Sequence, residues 1–308
     1  MKHGSRPSFG PLGLLHAQNQ VIAQCPKEGE QITFTPEVSK QIVRAFEEIR
    51  KGYPLDRVLA DPPHAEKLFK RCRQLDVKGS DYAIAMRLLR LRKSPTKSLR
   101  LAKLPVPKEK RNFAPYSFAA EMAASQIKYR YGASIDDMLA YPEIGREFDE
   151  LCEKLHPGMT PLDYRLAALH IRKSHYCKKD ERSLFDSLDD VAAESTLRKH
   201  ATLDRINLNA FQKVHAVVGL VEEARVKRFL YITQTDDVSE TTRPFTNKSV
   251  FDVLANSFWT PSLSLIRLYV YAIPDKFHNA LRALWAKRLI HDKSPIFNTP
   301  IQIAGIAA

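Results

Sequence analysis

The chain has 308 residues, 44% of them hydrophobic and 27% charged, with a formal net charge of +13. This composition excludes a disordered polymer, whose apolar surface is too small to offset the entropy of ordering, and the length suffices for two ordinary domains. No apolar run approaches the roughly 20 residues that cross a bilayer, and the first residues lack the apolar stretch of a signal peptide, so a cytoplasmic protein without a membrane contact is expected.

So large a cationic excess costs self-repulsion, which a polyanionic partner relieves, and DNA or RNA is the commonest one. Cys25, Cys72, Cys152 and Cys177 form no CxxC pair, so the spacing carries no zinc or redox motif, and no metal or cofactor is expected. Walker, dinucleotide-binding, HExxH and GxSxG patterns are absent from the sequence.

Residues 1–31 read as a flexible arm. A duplication organises the next part of the chain: Leu55-Asp56-Arg57-Val58-Leu59-Ala60-Asp61-Pro62 is matched by Ile135-Asp136-Asp137-Met138-Leu139-Ala140-Tyr141-Pro142 at a constant offset. The offset holds without a gap for Gly52 and Gly132, Leu68 and Phe148, Cys72 and Cys152, and Arg92-Lys93-Ser94 and Arg172-Lys173-Ser174. Each copy, residues 32–94 and 115–179, reads as a four-helix unit. In the first, Thr35-Pro36 is an N-cap followed by proline at the first helical position, and Val38, Ile42, Phe46 and Ile49 recur at helical spacing. Gly52 ends that helix. Short helices come next, over 55–59 and 65–75, then one over 82–92. The second copy predicts helices over 118–131, 135–139, 144–155 and 161–172. Cys72 and Cys152 read as small core residues.

The basic linker, residues 95–114, lies within a longer cationic stretch. Between Ile84 and Tyr131 fall Arg87, Arg90, Arg92, Lys93, Lys97, Arg100, Lys103, Lys108, Lys110, Arg111, Lys128 and Arg130, opposed only by Glu109 and Glu121. With Arg172 and Lys173 these are the candidate phosphate-binding residues, and Phe113, Tyr116 and Phe118 stand close by in sequence. A surface linker is the plain alternative, and Arg92-Lys93 and Arg172-Lys173 also suit the negative ends of their helices.

Residues 180–210 read as a connector, helical over 183–208. From Phe211 the pattern turns to β and then α. Strands are predicted over 214–221 and 229–233 as a hairpin with its turn at 222–228. A helix is predicted within 246–258, a strand over 263–273, a helix over 274–291 and a short strand over 296–298. The fold class expected is α+β: two tandem all-α units followed by a small three-stranded α/β domain over 211–308.

Leu230-Tyr231-Ile232-Thr233, and Leu289-Ile290-His291-Asp292-Lys293-Ser294-Pro295-Ile296-Phe297-Asn298, with the order of elements around them, resemble the GIY-YIG nuclease family over about 214–300. The resemblance implies two tyrosines and an arginine acting at the scissile phosphate, and a glutamate holding a divalent cation. Here Gly219-Leu220-Val221 stands in the first motif without its tyrosine, Tyr231 keeps the second, Thr241 falls at the arginine with Arg243 nearby, and Ala286 replaces the glutamate. Without that carboxylate the usual metal site does not form; Glu222 or Glu223 are the nearest substitutes. The expected function is a nucleic-acid-binding accessory protein with an inactive GIY-YIG-like domain. It would act among other protein subunits in a nucleoprotein complex such as a defence, mobile-element or RNA-guided system. An active atypical metal-dependent nuclease and a protein–protein scaffold are the alternatives.

Overall fold

The computed structural model describes residues 34–93, 111–174, 176–177, 188, 196–224, 227–254, 262–272, 279–298 and 302–303. The arm at 1–31, most of the basic linker and, of the connector, residues 180–187 and 189–195 lie outside them. The described residues form two compact units: a helical one reaching Lys173 and an α+β one from Ser174 onward.

The helical unit contains α1 (Pro36–Ile49), α2 (Leu55–Ala60), α3 (Pro62–Gln74), α4 (Asp81–Lys93), α5 (Ser117–Tyr131), α6 (Ile135–Ala140), α7 (Pro142–Leu155) and α8 (Pro161–Ser174). Helices α2, α3 and α4 begin at Leu55, Pro62 and Asp81, and their counterparts begin at Ile135, Pro142 and Pro161, the same offset each time. These starts are set locally. Prolines occupy the first turns of α1, α3 and α7, where the missing N–H leaves no orphan. This places the start of α3 at Pro62, three residues ahead of the expectation. The Thr35 hydroxyl accepts from Val38 N at 3.3 Å. Ser80 Oγ accepts from Ala83 N, and Thr160 Oγ1 from Asp163 N, both at 3.2 Å. Gly132, with φ of 61°, is the left-handed cap of α5, and after α1 the left-handed turn is made by Lys51 and Gly52, with φ of 47° and 84°.

Within each copy the first helix packs on the third, α1 on α3 and α5 on α7, and the copies meet where α4 and α2 contact α6. The core runs through Phe46, Leu68, Ile84 and Leu88 in one copy and Met122, Ile127, Phe148 and Tyr164 in the other, with Cys72 and Cys152 wholly buried at equivalent places. Burial pushes the Cys72 thiol up to about 11 and Cys152 well above its ordinary value, so both are inert core residues. Between the copies the Tyr82 ring stacks on Tyr141 at 3.8 Å between centroids, and its hydroxyl donates to Asp137 Oδ1 at 3.2 Å.

The second unit is built on an antiparallel four-stranded sheet. Its strands are β2 (Thr196–Thr202), β3 (Ala216–Glu223), β4 (Lys227–Thr235) and β5 (Ile266–Ala272), in the order β2-β5-β3-β4. A separate parallel pair joins β1 (Tyr176–Cys177) to β6 (Gln302–Ile303). Helices α9 (Val238–Thr242), α10 (Lys248–Leu254) and α11 (Asn279–Lys293) complete it, with single tighter turns at Leu208–Phe211 and Arg243–Thr246. One sheet face packs Val217, Val221, Ile232, Tyr269 and Tyr271 against Leu284, Trp285, Ala286, Leu289 and Ile290 of α11. On the other, Tyr231 meets Phe245, which meets Phe251 of α10.

Three expectations are corrected. The sheet has four strands, not three, because β2 arises within the stretch read as a helical connector. Its threonines and the pairing of 196–202 with β5 outweigh the helical propensity of the mixed-charge sequence. The hairpin strands run on to Glu223 and from Lys227, leaving a much shorter turn than 222–228. Residues 296–298 form no strand, yet they do bond to one. Ile296 N and Phe297 N donate to Phe229 O and Leu230 O at 3.1 and 2.9 Å. The buried Asn298 side chain accepts from Ile232 N at 2.7 Å and donates to Ile232 O at 2.8 Å. One amide thus occupies both polar groups of an edge-strand residue.

Candidate nucleic-acid interface

The candidate cations divide by what surrounds them. Lys97, Arg100, Lys103, Lys108 and Lys110 lie outside the described residues, and Lys93 is placed as the last residue of α4. Arg90 and Lys128 are exposed. Arg87, in α4, donates to Ser39 Oγ at 2.9 Å. The others meet carboxylates from distant segments: Arg92 with Asp56, Arg111 with Asp163, Arg130 with Glu147, and Arg172 with Asp136 at 2.5 Å. The charge counted along 84–131 is therefore not the charge of the folded surface, since three acids outside that stretch, Asp56, Glu147 and Asp163, fold back onto it.

Arg92, Arg172 and Lys173 are brought together where the copies meet. Arg92 and Arg172 make the same bond in each copy, to Asp56 and Asp136 at the starts of α2 and α6. Lys173 reaches across from the second copy to Asp56 Oδ2 at 3.5 Å. Burial, and then the neighbouring Arg172 and Arg92, pull the Lys173 ammonium below its usual value; burial, opposed by Asp136, does the same to Arg92. This group joins the copies, with three cations on two carboxylates.

In the sheet unit the four positions singled out by the family resemblance fall on two sides. Gly219 lies in mid-β3 opposite Ile232, and Ala286 is buried in the apolar cluster with Val217, Val221 and Ile232. Tyr231 pairs with Leu220, is 4% exposed, and stands against Phe245 on the other face. Thr241 Oγ1 lies 2.6 Å from Thr235 Oγ1, and Arg243 is exposed. Gly219 pairs with Ile232 and Leu220 with Tyr231, so ordinary alternation puts Gly219 and Tyr231 on opposite faces; a bulge in β4 follows, where Val221 pairs with Phe229. A Cβ at Gly219 would lie 3.7 Å from Ile232 Cγ1, ordinary contact, so close packing does not demand glycine here.

The two glutamates named as substitutes are both engaged. Glu222, buried, accepts from Arg228 Nε at 2.9 Å. Glu223 accepts from Lys199 Nζ and Arg267 Nε, each at 2.6 Å, and from the Tyr269 hydroxyl at 2.5 Å. Lys199 and Tyr269 lead the donors that hold the Glu223 carboxyl down at about 2; burial, then Glu223, push the Tyr269 phenol up to about 12. Lys227 Nζ stands 4.3 Å from the Tyr269 ring centroid and 5.5 Å from that of Phe229, and Lys293 Nζ lies 5.9 Å from the latter. Sequence reading missed this group because its members come from β2, β3, β4, β5 and the end of α11. The alternation Arg267-x-Tyr269 on a strand is the one local signal it carries.

Among the described residues no three His, Cys, Asp or Glu side chains stand together so as to hold a metal ion, and no helix is long and apolar enough to cross a membrane. No family model, curated protein or solved structure matches the chain.

Proposed function

We propose that this chain is a nucleic-acid-binding accessory protein whose C-terminal unit is a GIY-YIG-like domain without the family's catalytic set. It works beside other subunits in a nucleoprotein complex. The observation that carries the reading is the cationic stretch from Ile84 to Tyr131, twelve Lys or Arg against Glu109 and Glu121. Arg90 and Lys128 support it as exposed members. The degenerate-nuclease part is supported by the order hairpin, helices, strand, long helix, and by Ala286, whose place among apolar side chains leaves no carboxylate at that position. Phosphate binding of this kind is read in salt dependence, because each contact releases a counterion. Reversing the charge of Arg100, Lys108 and Lys110 is expected to weaken binding to DNA or RNA of any sequence. It should also flatten the slope of log affinity against log salt by about 2–3. Binding that does not respond to salt would remove the electrostatic basis, and Mg2+-dependent nicking by the pure protein would overturn the inactive assignment.

A protein scaffold is the second reading. It is favoured by the internal pairing of Arg92, Arg111, Arg130, Arg172 and Lys173, which commits those cations to the fold. A chain that binds neither duplex DNA nor single-stranded RNA at low salt would leave the scaffold standing.

A further inference from the structure

Cations share carboxylates in both units. In the helical unit Arg44 and Arg71 meet on Glu48, and Arg92 and Lys173 on Asp56. In the sheet unit Lys199 and Arg267 share one, Glu223, and Lys227 and Lys293 are poised over the neighbouring rings of Tyr269 and Phe229. Asp292, beside Lys293 in sequence, is taken by Arg288 at 2.9 Å and His291 at 3.0 Å. The Lys199 side chain is 50% exposed, and Lys227 and Lys293 are exposed.

We infer that Lys199, Lys227, Arg267 and Lys293 form a second phosphate-binding surface, on the C-terminal unit, for the sugar-phosphate backbone of a nucleic acid. This rests on the nucleic-acid reading and adds a site in a different unit from the one that carries it.

Three features favour that ligand. Glu223 fixes Lys199 and Arg267, from different strands, before any ligand arrives, and the Tyr269 hydroxyl fixes Glu223, so little side-chain freedom remains to be lost on binding. The aromatic rings serve as seats for ammonium groups: Tyr269 is buried with Lys227 over its face, which leaves it no face for a base, so the surface reads charge and not sequence. The cations are also spread. β2 and β4 are the outer strands, with β5 and β3 between them. Their charged ends are seated on different groups, Lys199 Nζ 2.6 Å from Glu223, Lys227 Nζ 4.3 Å from the Tyr269 centroid and Lys293 Nζ 5.9 Å from that of Phe229. Several separately seated donors suit the phosphates of a chain better than one small anion.

The test uses the full chain, with K199A/K227A/K293A beside K199R/K227R/K293R. Binding to a labelled DNA duplex and to a labelled single-stranded RNA is followed by anisotropy over a salt series, and melting confirms that both variants fold. The alanine variant is expected to lose about 2–3 from the salt slope and on the order of tenfold or more in affinity at physiological salt, while the arginine variant keeps both. If the native chain binds and the alanine variant matches it in slope and affinity, this surface is overturned and the first reading stands. If the native chain binds neither probe, the nucleic-acid reading fails and takes this site with it. Loss of binding to phosphatidylserine vesicles, with nucleic-acid binding unchanged, would overturn the assignment in favour of a lipid surface.

Discussion

At three linked positions the two copies of the helical unit fill the same backbone with different chemistry. The first copy carries Ala65, Phe69 and Ala85, all buried. One repeat further on, the second carries Gly145, Asp149 and Arg165. There Arg165 donates to Asp149 through two nitrogens, Nε at 3.0 Å and Nη2 at 2.6 Å, with the side chains only 7% and 15% exposed. Gly145 makes the room, since a Cβ there would lie 2.7 Å from Arg165 Nη2. Helices α3 and α7, and α4 and α8, still begin at equivalent residues. Caps, prolines and left-handed glycines set the backbone, and the core between the helices accepts either an apolar filling or an ion pair, provided that the pair arrives with its clearance. Burial raises the Asp149 carboxyl above its usual value, and the Arg165 bond only partly pulls it back. Desolvation thus outweighs the attraction at this carboxylate.

The sharpest way to break the comparison is to remove one partner. Arg165→Ala should cost about 3–5 kcal/mol, because it leaves Asp149 buried without its cation. Converting the pair to the first copy's chemistry, D149F/R165A, should instead match or exceed the native chain by about 1–4 kcal/mol. Urea unfolding of the full chain, followed by helical signal, measures both. A double variant as unstable as R165A would show that the copies are not interchangeable at this point. The pH response separates them as well. A carboxyl whose folded pKa is raised contributes stability at low pH that is lost as pH rises through the raised value. Asp149 gives the native chain that decline, and the double variant lacks it.

Gly145→Ala tests the clearance. Its Cβ would meet Arg165 Nη2 at 2.7 Å and the Met138 carbonyl at 3.0 Å. The expected loss is about 1–3 kcal/mol. Part of it should disappear when Arg165 is already alanine, a coupling of about 0.5–3 kcal/mol in a double-mutant cycle. Strict additivity would assign the whole cost to Met138 and detach Gly145 from the exchange.

Much of the helical unit was legible because its signals are local. Thr35-Pro36, Pro62, Pro142, Gly52 and Gly132 act within one turn of where they stand. The constant offset carried them from copy to copy. What escaped depends on residues far apart. The partners of Arg92 and Arg172 are each 36 residues away, and that of Arg111 is 52 away, so a count along 84–131 saw only Glu109 and Glu121. Strand β2 escaped for the same reason: its one large apolar residue, Leu197, is 49% exposed, so the segment carries no apolar alternation and exists as a strand through its pairing with β5. The division of Gly219 from Tyr231 turns on the hairpin register, Gly219 on Ile232 and Leu220 on Tyr231, which alternation along either strand alone cannot give.

The smallest expected difference lies at the starts of α4 and α8, where the copies agree in position and differ in depth. Ser80 Oγ accepts one backbone N–H, that of Ala83. Thr160 does the same for Asp163 N, and Asp163 answers by accepting from Thr160 N at 3.3 Å and from its hydroxyl at 2.5 Å, while Arg111 closes on the same carboxylate. Ser80→Ala removes a simple cap and should cost about 0.5–1 kcal/mol; Thr160→Ala opens a reciprocal box and should cost about 1–2 kcal/mol. Thr160→Ser keeps the hydroxyl and should recover most of that loss. Equal costs for the two alanine variants would mean that Asp163 and Arg111 add nothing to the second cap. The agreement between the copies would then extend to energy as well as to position.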